Sequence, residues 1–207
     1  MPRSSIRPDL LLFALTLLLS ATLLFTVQPM FGKMILPMFG GSPSVWLTAL
    51  VFFQLMLLAG YAYVYATSSW LGIRKQAALH LLILGLPLLV LPVRVLTGWI
   101  PISPTRPLAS VSWTLIFSIG LPFFALAASA PLLQRWFATT SDPAAHDPYF
   151  LYAASNLGSL GGLLAYPLLI EPLLRLRTQS HVWTTGYVVL VALIVVCASR
   201  VWRARAL

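Results

Sequence analysis

Charged residues are scarce in this sequence, and acidic residues are almost missing. Only 8% of the 207 residues are charged, and just four are Asp or Glu, whereas a soluble globular domain carries about 25% charged residues. With 59% hydrophobic residues and a mean hydropathy of +0.91, the chain cannot cover a water-facing surface with polar groups. The composition therefore excludes a soluble domain and predicts an integral membrane protein whose main partner is the lipid bilayer.

Cysteine and catalytic motifs are lacking as well. Cys197 is the single cysteine, which excludes an intrachain disulfide and a cysteine-based metal cluster. The sequence contains no Gly-rich phosphate loop, no HExxH motif and no Ser/His/Asp order. One loop holds Asp142, His146 and Asp147, but their spacing matches no recognised ligand set, so we expect a solvated loop. We predict no catalytic residue, no metal and no cofactor.

Long apolar runs separated by charges and helix breakers predict about six membrane-spanning helices, because a span needs about 20 apolar residues. The predicted spans are Leu10–Phe31, Val45–Ser69, Ala77–Trp99, Ser110–Trp136, Tyr149–Ile170 and Val182–Trp202. Pro87, Pro92 and Arg94 interrupt the third span, so we expect it to be kinked or tilted. The predicted fold class is an all-α, polytopic helix bundle in which residues 1–207 form one transmembrane domain.

Lys and Arg are distributed unequally between the two sides that six spans define. One side carries Arg3, Arg7, Arg74, Lys75, Arg135, Arg200, Arg203 and Arg205, and the other carries Lys33, Arg94, Arg106, Arg175 and Arg177. Because cytoplasmic loops are enriched in basic residues, both termini are predicted to lie in the cytoplasm. The basic residues fall between apolar runs, which predicts headgroup contacts and no nucleic-acid partner.

One internal spacing recurs along the chain. Residue pairs separated by 102 positions are Pro29 and Pro131, Lys33 and Arg135, Gln54 and Asn156, Gly60 and Gly162, and Lys75 and Arg177. Three spans separate the two copies, so the second copy would be inverted in the membrane, as in many transporter folds. Residues 10–99 and 110–202 can therefore be interpreted as a 3+3 inverted repeat, and chance matches in a biased composition are the alternative.

The few polar side chains within the apolar runs are the candidate binding residues. Lys33 is the only charge in the stretch from Gln28 to Tyr65, and Glu171 is the only acid that abuts a span. Six spans place these two residues near the same face of the membrane, which predicts an ion pair; separate contacts with headgroups are the alternative. Gln54 and Asn156 lie in mid-span, where each amide could bond to a neighbouring helix or bind a ligand.

Small residues recur at every fourth position of the fifth span, at Ala154, Gly158 and Gly162. Such a face lets another helix approach closely. We predict helix packing for these three residues, and the two glycines could also serve self-association in a homodimer.

Four blocks of the chain resemble, in order, the membrane domain of bacterial membrane-bound spermidine synthase-like proteins, also called fused MFS/spermidine synthases. The blocks are QPMFGKMILPMFGGSPSVWLTALVFFQLMLLAGYAYVY, GLPFFALAASAPLLQRWFA, DPYFLYAASNLGSLGGLLAYPLLIEP and QSHVWTTGY. The resemblance covers Leu10 to Tyr187 and implies half of a major-facilitator-like fold. It also implies a location in a bacterial inner (cytoplasmic) membrane. The matching positions that are chemically suited to a role are Gln28, Lys33, Gln54, Tyr61, Gln134, Asn156 and Glu171.

The resemblance leaves two function classes open. The family joins its membrane part to an aminopropyltransferase domain that these 207 residues do not contain, which implies a non-enzymatic membrane subunit that anchors a separate soluble synthase-like partner. The alternative is a small-molecule transporter, for a polyamine or organic ion, that works as a dimer. A membrane enzyme that acts through Lys33 or Glu171 is disfavoured, because one base and one acid without a cofactor motif make too little of a site.

Overall fold

The computed structural model describes residues 8–96, 107–140, 142–147 and 149–204, and over these residues it contains helices and turns without a strand. The helices are α1 Pro8–Phe39, α2 Pro43–Trp70, α3 Ile73–Gly85, α4 Pro107–Leu115, α5 Leu121–Phe137, α6 Tyr149–Ala165, α7 Glu171–Leu173 and α8 Leu176–Ala204. The prediction of an all-α membrane bundle is confirmed.

Two π-helical turns join consecutive helices into longer rods. Ile116–Gly120 connects α4 to α5, and Tyr166–Ile170 connects α6 to α7. Among the described residues, five helical rods are therefore long and apolar enough to cross a membrane: α1, α2, α4–α5, α6–α7 and α8. Even the shortest has 25 residues, and at about 1.5 Å per residue it exceeds the roughly 30 Å of the hydrocarbon core.

The third predicted span, Ala77–Trp99, is not one long helix, and this part of the prediction is wrong. α3 stops at Gly85, a 3-10 turn covers Leu86–Leu89, and irregular chain follows to Leu96. Prolines within the segment lack the amide hydrogen that an α-helix needs, and their rings clash with the preceding turn. The predicted end of this span, beyond Leu96, lies outside the described residues.

This broken segment still runs the length of the bundle beside α8. At one end, Arg74 donates to the carbonyl of Trp202 at 3.5 Å. Midway, the Tyr187 hydroxyl donates to the carbonyl of Leu84 at 3.1 Å, and at the far end Ser180 donates to the carbonyl of Val93. Within the described residues the bundle therefore has six passages: five long helices, and this segment, which is a short helix with an irregular continuation.

Two predicted helix boundaries are also wrong. α1 continues beyond its predicted end at Phe31 as far as Phe39, although it contains two prolines. It stops at Gly40, whose φ of 74° is the left-handed conformation that glycine adopts readily, and whose amide donates to the carbonyl of Leu36 at 2.9 Å. α8 begins before its predicted start at Val182.

α1 and α5 form the centre of the bundle. α1 packs on α5, α6 and α8, and α5 packs on α2, α3 and α8. The core between them contains large, fully buried side chains, among them Phe13, Phe31, Leu115, Phe123 and Trp136. α2 and α6 are peripheral, because only 28% and 17% of their apolar windows are buried, against 67% for α4–α5.

The described ends of the chain lie together. Asp9 near the start of α1 is 3.7 Å from Arg200 near the end of α8, and we call this the terminal end of the bundle. The opposite end holds Lys33 and Glu171. The cytoplasmic location of the terminal end stays a prediction, and four residues of the charge count lie outside the described residues, namely Arg3, Arg7, Arg106 and Arg205.

Candidate functional site

Lys33 and Glu171 form the predicted ion pair at the opposite end. α1 and α6–α7 run parallel, and the Lys33 ammonium contacts the Glu171 carboxylate directly. Their side chains are 34% and 39% exposed, so the pair is only partly covered by the protein. The prediction of a pair is confirmed. Such a half-exposed pair contributes about 0–1 kcal/mol to stability, and it leaves neither charge alone beside hydrocarbon.

The small face of α6 packs against α1 within the same chain. A Cβ at Gly158 would lie 2.3 Å from the carbonyl oxygen of Leu18, and one at Gly162 would lie 3.0 Å from that of Thr22. Ala154 is half-buried against the core. The packing prediction is confirmed. The suggestion that the two glycines serve self-association is wrong, because α1 already occupies this face.

Gly60 makes the corresponding contact in the first half of the chain. A Cβ at Gly60 would lie 2.9 Å from the Cβ of Ala127 in α5. The second half of the chain has the equivalent contact, because a Cβ at Gly162 would lie 3.5 Å from the Cβ of Phe25. Gly162 follows Gly60 by 102 positions, and Phe25 precedes Ala127 by the same number. The α2–α5 and α6–α1 contacts therefore recur at the spacing seen in the sequence.

The basic residues of the two halves occupy related positions with different partners. Arg135 donates to the carbonyl of Ser68 at 2.9 Å near the end of α2. Lys33, 102 positions earlier, lies near the end of α6–α7 and binds the carboxylate of Glu171. Each cation sits beside the C-terminal end of a helix, where the helix dipole favours positive charge.

The two mid-span amides face outward. Gln54 and Asn156 are exposed on α2 and α6, and neither side chain has a hydrogen-bond partner among the described residues. Tyr61, two turns beyond Gln54, is exposed too. These side chains therefore face the bilayer or a partner molecule, and the interpretation that the amides bond to a neighbouring helix of the same bundle is wrong for the described residues.

The remaining predicted residues lie apart from these amides. Gln28 donates to the carbonyl of Leu24 at 3.4 Å and lines a cleft of about 240 Å³ between α1 and α2, beside Gly32 and Trp46. Gln134 is half-buried in the last turn of α5, at the terminal end. The predicted residues thus do not converge on one site: they divide among the ion pair, the outward amides and the two bundle ends.

Sequence reasoning missed a buried glutamine near the start of the third passage. The Gln76 amide donates to the hydroxyls of Thr67 and Ser68, both at 3.0 Å. Its oxygen accepts from the indole of Trp136 at 3.4 Å. Gln76 therefore ties the start of α3 to the end of α2 and to α5.

Gln179 does the same near the start of the last passage. It donates to the carbonyl of Leu174 at 2.8 Å, and it accepts from the Tyr166 hydroxyl at 3.1 Å. Each glutamine comes shortly after a turn and closes that turn. The two glutamines are separated by almost the repeat spacing of 102 positions, and this is the sequence signal that could have identified them.

The loop acids stabilise their own loop. Asp142 accepts from the amide of Ala144 at 2.8 Å, and Asp147 accepts from the amide of Tyr149 at 3.3 Å. His146 is exposed. Among the described residues, no three His, Cys, Asp or Glu side chains are grouped to hold a metal ion. The loop therefore has a structural explanation in these capping bonds.

Comparison with known proteins assigns no family. No protein-family model, no curated relative and no solved structure matches the chain. The similarity to spermidine synthase-like membrane domains therefore stays a prediction.

Proposed function

We propose that this multi-pass membrane protein is half of a small-molecule carrier, and that two copies enclose a polar solute between their α2 and α6 faces. The observation that supports it is the outward placement of Gln54 and Asn156, without intramolecular partners, on the two least buried spans. A polar group that faces hydrocarbon without a hydrogen bond is costly. A dimer that encloses a solute removes both amides from lipid.

Both helices present the same kind of outward stripe, with an amide at its centre. On α2 the exposed residues at helical spacing are Leu47, Leu50, Gln54, Leu58, Tyr61 and Tyr65. On α6 they are Tyr149, Tyr152, Asn156, Leu160 and Leu163. Each α6 position follows an α2 position by 102 residues. Together with the recurring glycine contacts, this supports two inverted repeats, an arrangement in which transporter sites lie at the repeat interface near mid-membrane.

Lys33 and Arg135 already have partners within the protein, and this limits the class of solute that the carrier could bind. Lys33 is engaged by Glu171 and Arg135 by a carbonyl, so the mid-span chemistry consists of neutral amides that can both donate and accept. A polyamine or another organic ion is the broader proposal that the resemblance implies. The neutral amides favour a neutral polar or zwitterionic solute over a polyamine, because an organic cation would need carboxylates at this depth.

Uptake into proteoliposomes tests the carrier. Labelled neutral polar solutes, spermidine and an organic anion are offered to the reconstituted protein. We expect uptake of one class, lowered at least roughly tenfold by Gln54→Leu or Asn156→Leu, since loss of one buried hydrogen bond of about 1.4 kcal/mol has that effect. Gln134→Leu, at the terminal end, is the matched control and keeps uptake. Uptake no greater than in protein-free liposomes for every class contradicts the proposal.

The terminal end supports a second proposal, that of an anchor for a soluble synthase-like partner. Trp70, Arg74 and Lys75 are exposed there around a surface hollow of about 420 Å³, which suits an acidic surface. The protein would be purified from its own membranes in gentle detergent and its partners identified by mass spectrometry. A stoichiometric synthase-like protein that is lost in an Arg74→Glu/Lys75→Glu variant supports the anchor, and recovery of the chain alone at dimer mass supports the carrier.

The inner-membrane orientation is tested by cysteine labelling. In a Cys197→Ala background, Ser44→Cys reports the opposite end and His146→Cys reports the loop between the fourth and fifth passages. A membrane-impermeant maleimide should label position 44 in spheroplasts and position 146 only after the membrane is opened. The reverse pattern contradicts a cytoplasmic terminal end.

A further inference from the structure

A histidine in the bundle interior has no role in the proposed carrier face. His80 lies in α3 and is completely buried, although the sequence places it near a span end. Its Nε2 is 3.1 Å from the Ser129 hydroxyl of α5. Among the described residues it is the only ionisable base that is fully buried. An ionisable residue inside a membrane bundle indicates a functional site.

The hydrogen bonds around Ser129 fix where the imidazole proton resides. The Ser129 hydroxyl donates to the carbonyl of Ala125 at 2.7 Å, so its only hydrogen is already engaged. It must therefore accept from His80, which places the imidazole hydrogen on Nε2. Nδ1 is then left with a lone pair that needs a hydrogen-bond donor.

A donor without a partner lies beside it. Nδ1 of His80 and the hydroxyl of Tyr63 in α2 are both buried and both without a hydrogen-bond partner. The two rings are stacked with centroids 6.1 Å apart and planes 29° apart. Phe124 packs edge-on to Tyr63, and Trp136 packs edge-on to His80. The Phe124 ring has no polar atom, and the Trp136 indole N–H already donates to Gln76, so neither ring supplies a partner to the two orphaned atoms.

We propose that a small polar ligand, a water molecule in the resting protein, binds between the Tyr63 hydroxyl and Nδ1 of His80. The ligand accepts from the hydroxyl and donates to Nδ1, so one molecule satisfies both orphaned atoms. Buried waters in proteins characteristically bond to polar groups that would otherwise be unsatisfied. The site joins α2, which carries Gln54, to α3 and α5, and it exists whether or not the protein is a carrier.

Nitrogen NMR of the reconstituted protein tests this site directly. The chain contains three histidines, and His146 and His181 are exposed, so ¹⁵N-histidine labelling gives three sets of signals that His80→Gln assigns. We expect a neutral His80 ring with hydrogen on Nε2 and an Nδ1 resonance shifted upfield by hydrogen bonding. A water-edited spectrum should transfer magnetisation from immobile water to this nitrogen.

Two tyrosine variants separate the site from a general packing effect. Tyr63→Phe should move the Nδ1 resonance toward the unbonded position, whereas Tyr61→Phe, on the outward face of the same helix, should leave it unchanged. Hydrogen on Nδ1, or equal effects of the two variants, overturns the proposal. The water-edited spectrum of the unaltered chain decides the matter if Tyr63→Phe does not fold, because absence of transfer from water to Nδ1 is equally decisive.

Discussion

The two halves of the bundle are alike in their central contacts and different at their ends. Gly60 meets Ala127 and Gly162 meets Phe25 at the same spacing. At the ends, Lys33 has a carboxylate partner whereas Arg135 has a backbone carbonyl. At these contacts the backbone of one helix lies directly against the facing helix. There is no room for a side chain larger than hydrogen, so the position requires glycine. Near headgroups and water, several kinds of partner can satisfy a cation, so the halves diverge there.

The largest effect is expected where a glycine touches backbone most closely. Gly158→Ala places its Cβ against the carbonyl of Leu18, and neither backbone can yield without separating α6 from α1. We expect destabilisation at or above the upper end of the about 1–3 kcal/mol usual for overpacking, measured as a lower midpoint of thermal unfolding in detergent. Gly161→Ala is the matched control, because its Cβ would meet nothing within 4 Å. Equal midpoints for the two variants would contradict the α6–α1 packing.

The paired glycines test whether the two halves pack equivalently. Gly60→Ala and Gly162→Ala each bring a Cβ to about 3 Å from the facing helix and should cost similar amounts, about 1–3 kcal/mol. The comparison uses the same unfolding midpoints, with Gly72→Ala as a control in open space. If the unfolding midpoint falls for one of the two glycine variants and not for the other, the two halves do not pack equivalently.

The two buried glutamines give a smaller, unequal effect. Gln76→Leu removes bonds to Thr67, Ser68 and Trp136, whereas Gln179→Leu chiefly leaves Tyr166 and one carbonyl unpaired. Each should cost about 1–3 kcal/mol, because buried polar groups lose their partners, and Gln76→Leu should cost more. Midpoints in the same detergent measure this. Gln54→Leu, on the outward face, is the control that should not lower them, and a larger loss for Gln179→Leu would reverse the assignment.

The smallest effect belongs to the ion pair. Lys33→Glu or Glu171→Lys sets like charges together and should cost about 1 kcal/mol or less, because the side chains are partly solvated. The double reversal should restore most of the loss, and high salt should shrink each difference. The measurement is the double-mutant cycle of unfolding midpoints. A double variant as poor as the single ones shows that the pair contributes no coupling.

Particular residues show which features of the structure can be predicted from the sequence and which cannot. Lys33 and Glu171 were predicted to pair because six passages place both at one end, and counting passages needs only hydropathy. Gly158 and Gly162 were recognised as a packing face, but their partner was not, since periodicity shows which residues share a face and not what covers it. The burial of Gln76, Gln179 and His80 is not evident from the sequence, because polar residues beside charged turns usually face headgroups.

Composition and the lengths of the apolar runs are sufficient to predict the membrane class and the all-α fold. Only the folded bundle shows that α1 continues to Phe39 through two prolines, whereas the third passage breaks after Gly85. Because proline is tolerated in one helix and not in the other, its position in the sequence does not by itself predict where a helix ends. The tertiary structure also decided that α6 packs on α1 while Gln54 and Asn156 face outward. Burial is a property of neighbours that are distant in the chain, and no local pattern specifies those neighbours.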